Sequence, residues 1–148
     1  MDSNLLQKMS VDYKPDFFKC VSVYDPSIDK DKSNLAEYWA TRNLIHLQFK
    51  EGMQPTYFYL RLLPIRLVAN LQKSLEGENN LGSVISFFQF CVEHIENLNI
   101  DGQTIPLWNP SFQFQWPNKP FKIISDAEID AGLFSYPIIL EIGSVAAQ

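Results

Sequence analysis

Few residues in this 148-residue chain have the type and spacing to do chemistry: it holds two cysteines and two histidines. Cys91 and His94 stand three apart in an apolar stretch that reads as helix, so they would share a face. A thiolate beside an imidazole is a nucleophile arrangement. Reactive thiolates, however, favour helix N-termini and electropositive surroundings. Cys91 is mid-helix with Glu93 and Glu96 nearby, so the pair reads as a core cysteine next to a boundary histidine. His46 could act as a general base. The sequence places no serine, cysteine or paired carboxylate beside it, and it reads as an exposed strand histidine.

Carboxylates gather at Glu76 and Glu78, at Glu93 and Glu96, and at Asp126, Glu128 and Asp130. A metal or a glycosidase pair needs two of them to converge across a cleft. The expected places are a turn, the outer face of a helix and a helix first turn, where acids favour the helix dipole. Asp29, Asp31 and Ser33 have the spacing of a calcium loop, but Asn34 replaces its glycine and Ala40 its bidentate glutamate. Cys20, Cys91, His46 and His94 would make a zinc site only by long-range convergence. No nucleotide-binding, hydrolase, metalloprotease or kinase string occurs. The chain is therefore expected to be non-catalytic, with no cofactor and no metal.

The composition, 46% hydrophobic and 14% aromatic, excludes a wholly disordered chain and suits a single domain over residues 1–148. The net charge is −5. Residues 1–73 carry +2 and residues 74–148 carry −7, with Lys119 and Lys122 the only cations of the second half. Nucleic-acid binding draws most of its affinity from phosphate neutralisation, so no nucleic-acid partner is expected. The charge asymmetry suits head-to-tail self-association or a basic protein partner. No run of 18 apolar residues exists, so no membrane span is expected. The start, MDSNLLQKMSVDYK, has no apolar core of a secretory signal. Cysteines inside apolar runs suit a reducing compartment.

The elements that must position these residues read as α+β. Residues 1–16 are polar, an N-terminal segment for flexibility or docking. A strand is expected over 17–24, a polar loop over 25–34, and a short helix over 35–41 capped by Ser33 or Asn34. Ile45, Leu47 and Phe49 alternate with polar residues, as do Phe58, Leu60 and Leu62 with Tyr57, Tyr59 and Arg61. Two such runs around Gly52 predict a hairpin of strands 43–50 and 56–63. Its open face would carry His46, Gln48, Tyr57, Tyr59 and Arg61. Helices are expected at 65–76, opened by Pro64, and at 81–98, with a turn at 76–80. The expected fold is a small antiparallel sheet of three to four strands covered on one face by two helices. Its expected core is Ile45, Leu47, Phe49, Phe58, Leu60, Leu62, Val68, Leu71, Leu75, Val84, Ile85, Phe88, Cys91, Val92 and Ile95.

After the turn signal Asp101-Gly102, residues 104–124 form a Pro- and aromatic-rich arm. Its prolines argue for an edge strand or arm over a central strand. Ser125 and Glu128 have the form of a capping box, and Pro137 can open a last helix over 137–147. The aromatic surplus is the unusual feature, since exposed aromatics are typical hot spots of protein contact. The interface candidates are Tyr57, Tyr59 and Arg61 on the hairpin and Trp108, Phe112, Phe114, Trp116 and Phe121 on the arm. Two uses of the arm compete: lying across a neighbour, or closing its own core.

Over residues 43–76, a strand and a Gly turn lead into PTYFYLRLLPIRLVANLQKSLEG, which resembles small proteins of tailed phages. Those proteins show an extended segment feeding a helix, followed by an apolar helix. The ending SDAEIDAGLFSYPIILEIGSVAAQ is similar to their short acidic C-terminal helices. The resemblance covers about half the chain, and the arm has no counterpart in it. It implies a role in tail or baseplate assembly, as a chaperone or minor structural part, located in the virion or the host cytoplasm. The leading expectation is a phage structural or assembly protein packing in multiple copies against itself or other virion proteins. A monomeric cytosolic adaptor or inhibitor gripping one partner is the alternative, and an unrecognised small enzyme the third.

Overall fold

The computed structural model describes residues 17–75, 80–116 and 120–147. The segment 1–16, the carboxylates Glu76 and Glu78 and the Leu75 side chain lie outside the described residues. The fold is α+β. A four-stranded antiparallel sheet runs in the order β1 (Phe17–Cys20), β2 (Tyr57–Arg61), β3 (Val92–Ile100), β4 (Gln103–Trp108). A separate two-stranded sheet pairs β5 (Phe112–Gln115) with β6 (Pro120–Ile123). The helices among the described residues are α1 (Leu35–Thr41), α2 (Ile65–Leu75), α3 (Asn80–Cys91), α4 (Asp126–Asp130) and α5 (Tyr136–Ala146).

Alternation in β2 buries Phe58 and Leu60 and leaves Tyr57, Tyr59 and Arg61 on the opposite face. Cys20, Val92, Ile95 and Leu98 join the buried side, and Phe88, Ile139 and Ile142 of α3 and α5 close it. The two covering helices are thus α3 and α5, while α2 packs on α3. At the α3–α5 contact a Cβ on Gly143 would stand 2.5 Å from the Val84 carbonyl oxygen, so only glycine allows this approach. A second cluster, Val21, Ile28, Tyr38 and Leu47, lies beneath α1 and the loops that follow β1.

Several expected elements take other forms. Residues 43–50 are not a strand. Leu44–His46 form a 3-10 turn started by Asn43, whose Oδ1 accepts from the Ile45 N–H at 3.1 Å. The rest of the run pairs with the 27–34 loop: Asn34 and Asp29 N–H donate to His46 and Gln48 carbonyls, and Lys50 N–H donates to Ser27. Leu47 stays buried, but Ile45 is 78% exposed, since no sheet lies beneath it. Leu62 is 75% exposed because β2 ends at Arg61. His46 and Gln48 accordingly do not share a face with Tyr57. Val68, Leu71, Val84, Ile85 and Phe49 are half-buried, and Leu67 takes the buried place on α2.

The expected helix 81–98 stops at Cys91, and Val92–Ile100 is a central strand. Buried positions in β3 recur every three residues, at Val92, Ile95 and Leu98. A bulge sets the first interval: Tyr59 faces His94 while Leu60 faces Val92, leaving Glu93 extra. The second is set by Asn97, whose φ of 57° turns the chain in the left-handed region. Its side chain donates to the Pro55 carbonyl at 3.2 Å, and its own carbonyl accepts from the Thr56 hydroxyl at 2.8 Å. Irregular strand spacing therefore imitates a helical stripe.

Asp101 and Gly102, both at positive φ, make the tight turn joining β3 to β4. β4 is an edge strand, as Pro106 requires. α1 with its Asn34 cap, the Ser125–Glu128 capping box and α5 match the sequence expectation.

Candidate functional site

The open face of the main sheet is built across strands. Tyr59 sits between Lys19 and His94 in register, and its ring stacks on His94 with centroids 4.1 Å apart. The Lys19 ammonium lies 3.9 Å from the Tyr57 ring centroid. The Tyr59 hydroxyl donates to Glu96. Burial, then that hydrogen bond, push the Tyr59 phenol up to about 12. Tyr57 packs edge-on against Phe49, so its end of the face is partly covered by the second cluster.

At the other end, Arg61 faces Phe17 across β1 and lies over the Phe121 ring of β6 at 4.8 Å. A groove separates the two sheets here. One stretch, a cavity of about 700 Å³, is lined by Phe17, Arg61, Leu62, Glu93, Phe121 and Lys122 among others. A second, of about 400 Å³, is lined by Leu62, Leu63, Pro64, Trp116, Pro120 and Phe121 with Arg61 again. Arg61 is half-buried, its Nη1 is fully buried without a hydrogen-bond partner, and burial lowers its pKa.

The eight interface candidates therefore separate. Arg61, Trp116 and Phe121 converge on the groove, and Tyr57 and Tyr59 share the sheet face of Arg61 but do not line the groove. Phe112 is exposed on the hairpin. Phe114 turns inward, edge-on to Phe90 of α3 at 4.8 Å. Trp108 packs edge-on to Phe134 against the main core. The arm thus divides between closing its own fold and lining a groove. Sequence reasoning missed Phe17, Leu62 and Leu107 as exposed apolar residues. Pro64 could have flagged Leu62, because it ends the strand before the alternation that buries Phe58 and Leu60 reaches Leu62.

The chemical candidates do not assemble. Cys91 ends α3, is 3% exposed, and burial pushes its thiol up to about 12, while His94 lies on the open face. Four carboxylates of the three clusters have structural roles. Glu93 bonds His94, Glu96 accepts from Tyr59, Asp126 accepts from Gln89, and Glu128 closes a capping box. Asp29 accepts from the Asp31 and Lys32 N–H groups of its own turn. No cluster of three metal-ligating side chains occurs among the described residues. The buried Arg42–Glu141 pair, 2.5 Å apart, is also structural: Glu141 accepts from the Ser22 hydroxyl at 2.6 Å and the Val23 N–H at 3.0 Å. It ties the segment after β1 and the end of α1 to α5.

No family model, curated protein or solved structure matches the chain. No described helix is long and apolar enough to cross a membrane, and both cysteines are free.

Proposed function

We propose that this protein is a non-catalytic structural or assembly component that works through protein–protein contacts in multiple copies. The resemblance to small tailed-phage proteins directs the reading to a virion or its assembly. The observation that carries the contact role is the groove between the two sheets. There exposed Phe17 and Leu62, half-buried Phe121 and Trp116, and Arg61 gather from separate elements. Apolar anchors around an arginine are the composition of contact hot spots.

Sedimentation of the tagged chain from its source lysate, with mass spectrometry of its fraction, tests this. Migration with a large particle or as a ring of its own copies is expected. Migration as a lone species near 17.1 kDa would overturn the assembly role, and a one-to-one complex with a single cellular protein would replace it with the adaptor reading.

A further inference from the structure

We infer that the groove around Arg61 receives an extended segment of a partner protein, and that Arg61 anchors one acidic side chain of that segment. This rests on the proposed contact role and specifies its chemistry.

The first ground is the state of Arg61. The ion pairs among the described residues are Arg42–Glu141 and Glu93–His94, so Arg61 has none. Glu93, an acid of the same wall, offsets part of the burial of Arg61 by its charge but makes no ion pair with it, and its Oε2 is engaged by His94. Phe121 offers the guanidinium a ring face, while Nη1 is buried and lacks an acceptor. A buried donor left unpaired is costly. Nη1 itself is closed off, so a carboxylate in the groove would meet the remaining N–H groups of the half-buried guanidinium.

The second ground is position. Arg61, Leu62 and Phe121 are shared by both stretches of the groove, so the cation stands mid-way along it. A side chain from a passing segment reaches it more directly than a terminal carboxylate would. Phe17, Leu62, Leu63, Pro64, Trp116 and Phe121 would flank apolar neighbours of the acid. Lys122 adds a second positive charge to the wall. The chain's net charge of −5 disfavours a polyanion such as RNA at the same place.

The test pans a yeast-displayed library of random nonapeptides against the full chain and against Arg61→Gln. The wild-type chain is expected to enrich peptides with an Asp or Glu flanked by apolar residues. Arg61→Gln should keep the apolar preference and lose the acidic one. The best peptide is then made with an amidated C-terminus. Changing its acid to the matching amide should weaken binding to the wild type at least tenfold, and to Arg61→Gln less than twofold. The peptide comparison on the wild type alone decides the matter if Arg61→Gln does not fold.

The inference is overturned by any of three results: no acidic enrichment, binding that needs a free C-terminal carboxylate, or displacement of the peptide by a single-stranded oligonucleotide. Arg61→Met adds an independent readout, since it removes an unpaired half-buried charge. The isolated chain's Tm should rise by about 3 °C, and a fall would make Arg61 structural and overturn the inference. Failure of these tests with particle co-migration intact removes the acidic anchor only. Acid-selective peptide binding by a chain that migrates alone removes the assembly role only.

Discussion

Arg42 and Glu141 form a buried ion pair in this fold. Glu141 satisfies Arg42, the Ser22 hydroxyl and the Val23 N–H together. Removing one partner strands the other charge in a buried place, which costs about 3–5 kcal/mol. Glu141→Ala should therefore lose that much in urea unfolding, at an unchanged denaturant slope. The thiols give a second expectation. Burial raises Cys20 and Cys91 from 9.0 to about 12, so both stay protonated in the fold. The unfolded chain releases these protons from about pH 9 upward and then binds fewer than the folded one. Stability is thus fully held below pH 9 and falls as pH rises toward 12, by up to about 1.4 kcal/mol per pH unit for each thiol. A urea series from pH 8 to 11 checks the slope, and Cys20→Ala with Cys91→Ala should flatten it between about pH 9 and 10, above which the raised phenols of Tyr38 and Tyr59 add a fall of the same sign.

Two elements meet at Gly143. Alanine there would favour an isolated helix by about 1 kcal/mol over glycine. Its Cβ would nonetheless stand 2.5 Å from a backbone oxygen of α3, and helix backbone does not yield easily. Gly143→Ala should lower stability by about 1–3 kcal/mol, the range for overpacking; unchanged or raised stability would mean that α3 and α5 separate readily. In β3 the kink depends on Asn97 at φ 57°. Asn97→Val should cost about 1–3 kcal/mol of backbone strain, and Asn97→Gly much less. Thermal unfolding of the two variants side by side reads the difference.

At the scale of the molecule, the arm serves two ends. Trp108 belongs to the core and Trp116 to the groove. Trp108→Ala should therefore destabilise the monomer, by about 2–3 kcal/mol for a half-buried ring against ~3–5 for a buried one. Leu62→Asp with Trp116→Ala should abolish association in sedimentation while circular dichroism stays that of the parent. Normal association of that double variant would place the interface elsewhere.

Local rules determined much of this chain. Asn34 capping α1, the Ser125–Glu128 capping box, Pro137 opening α5, the Asp101-Gly102 turn and the alternation of β2 are set by neighbours in sequence. So the α+β class and the open-face places of Tyr57, Tyr59 and Arg61 were legible. Long-range pairing decided the rest. The 43–50 run alternates like a strand, yet its backbone groups found the 27–34 loop. Val92, Ile95 and Leu98 keep helical spacing, yet β2 and β4 flank them and the bulge at Glu93 absorbs the extra residue. The groove joins Phe17, Arg61 and the arm residues Trp116 and Phe121 from three separate parts of the chain, and no local pattern announces it. Backbone hydrogen bonds are satisfied by whichever strand or loop tertiary packing brings alongside, and period alone does not name that partner.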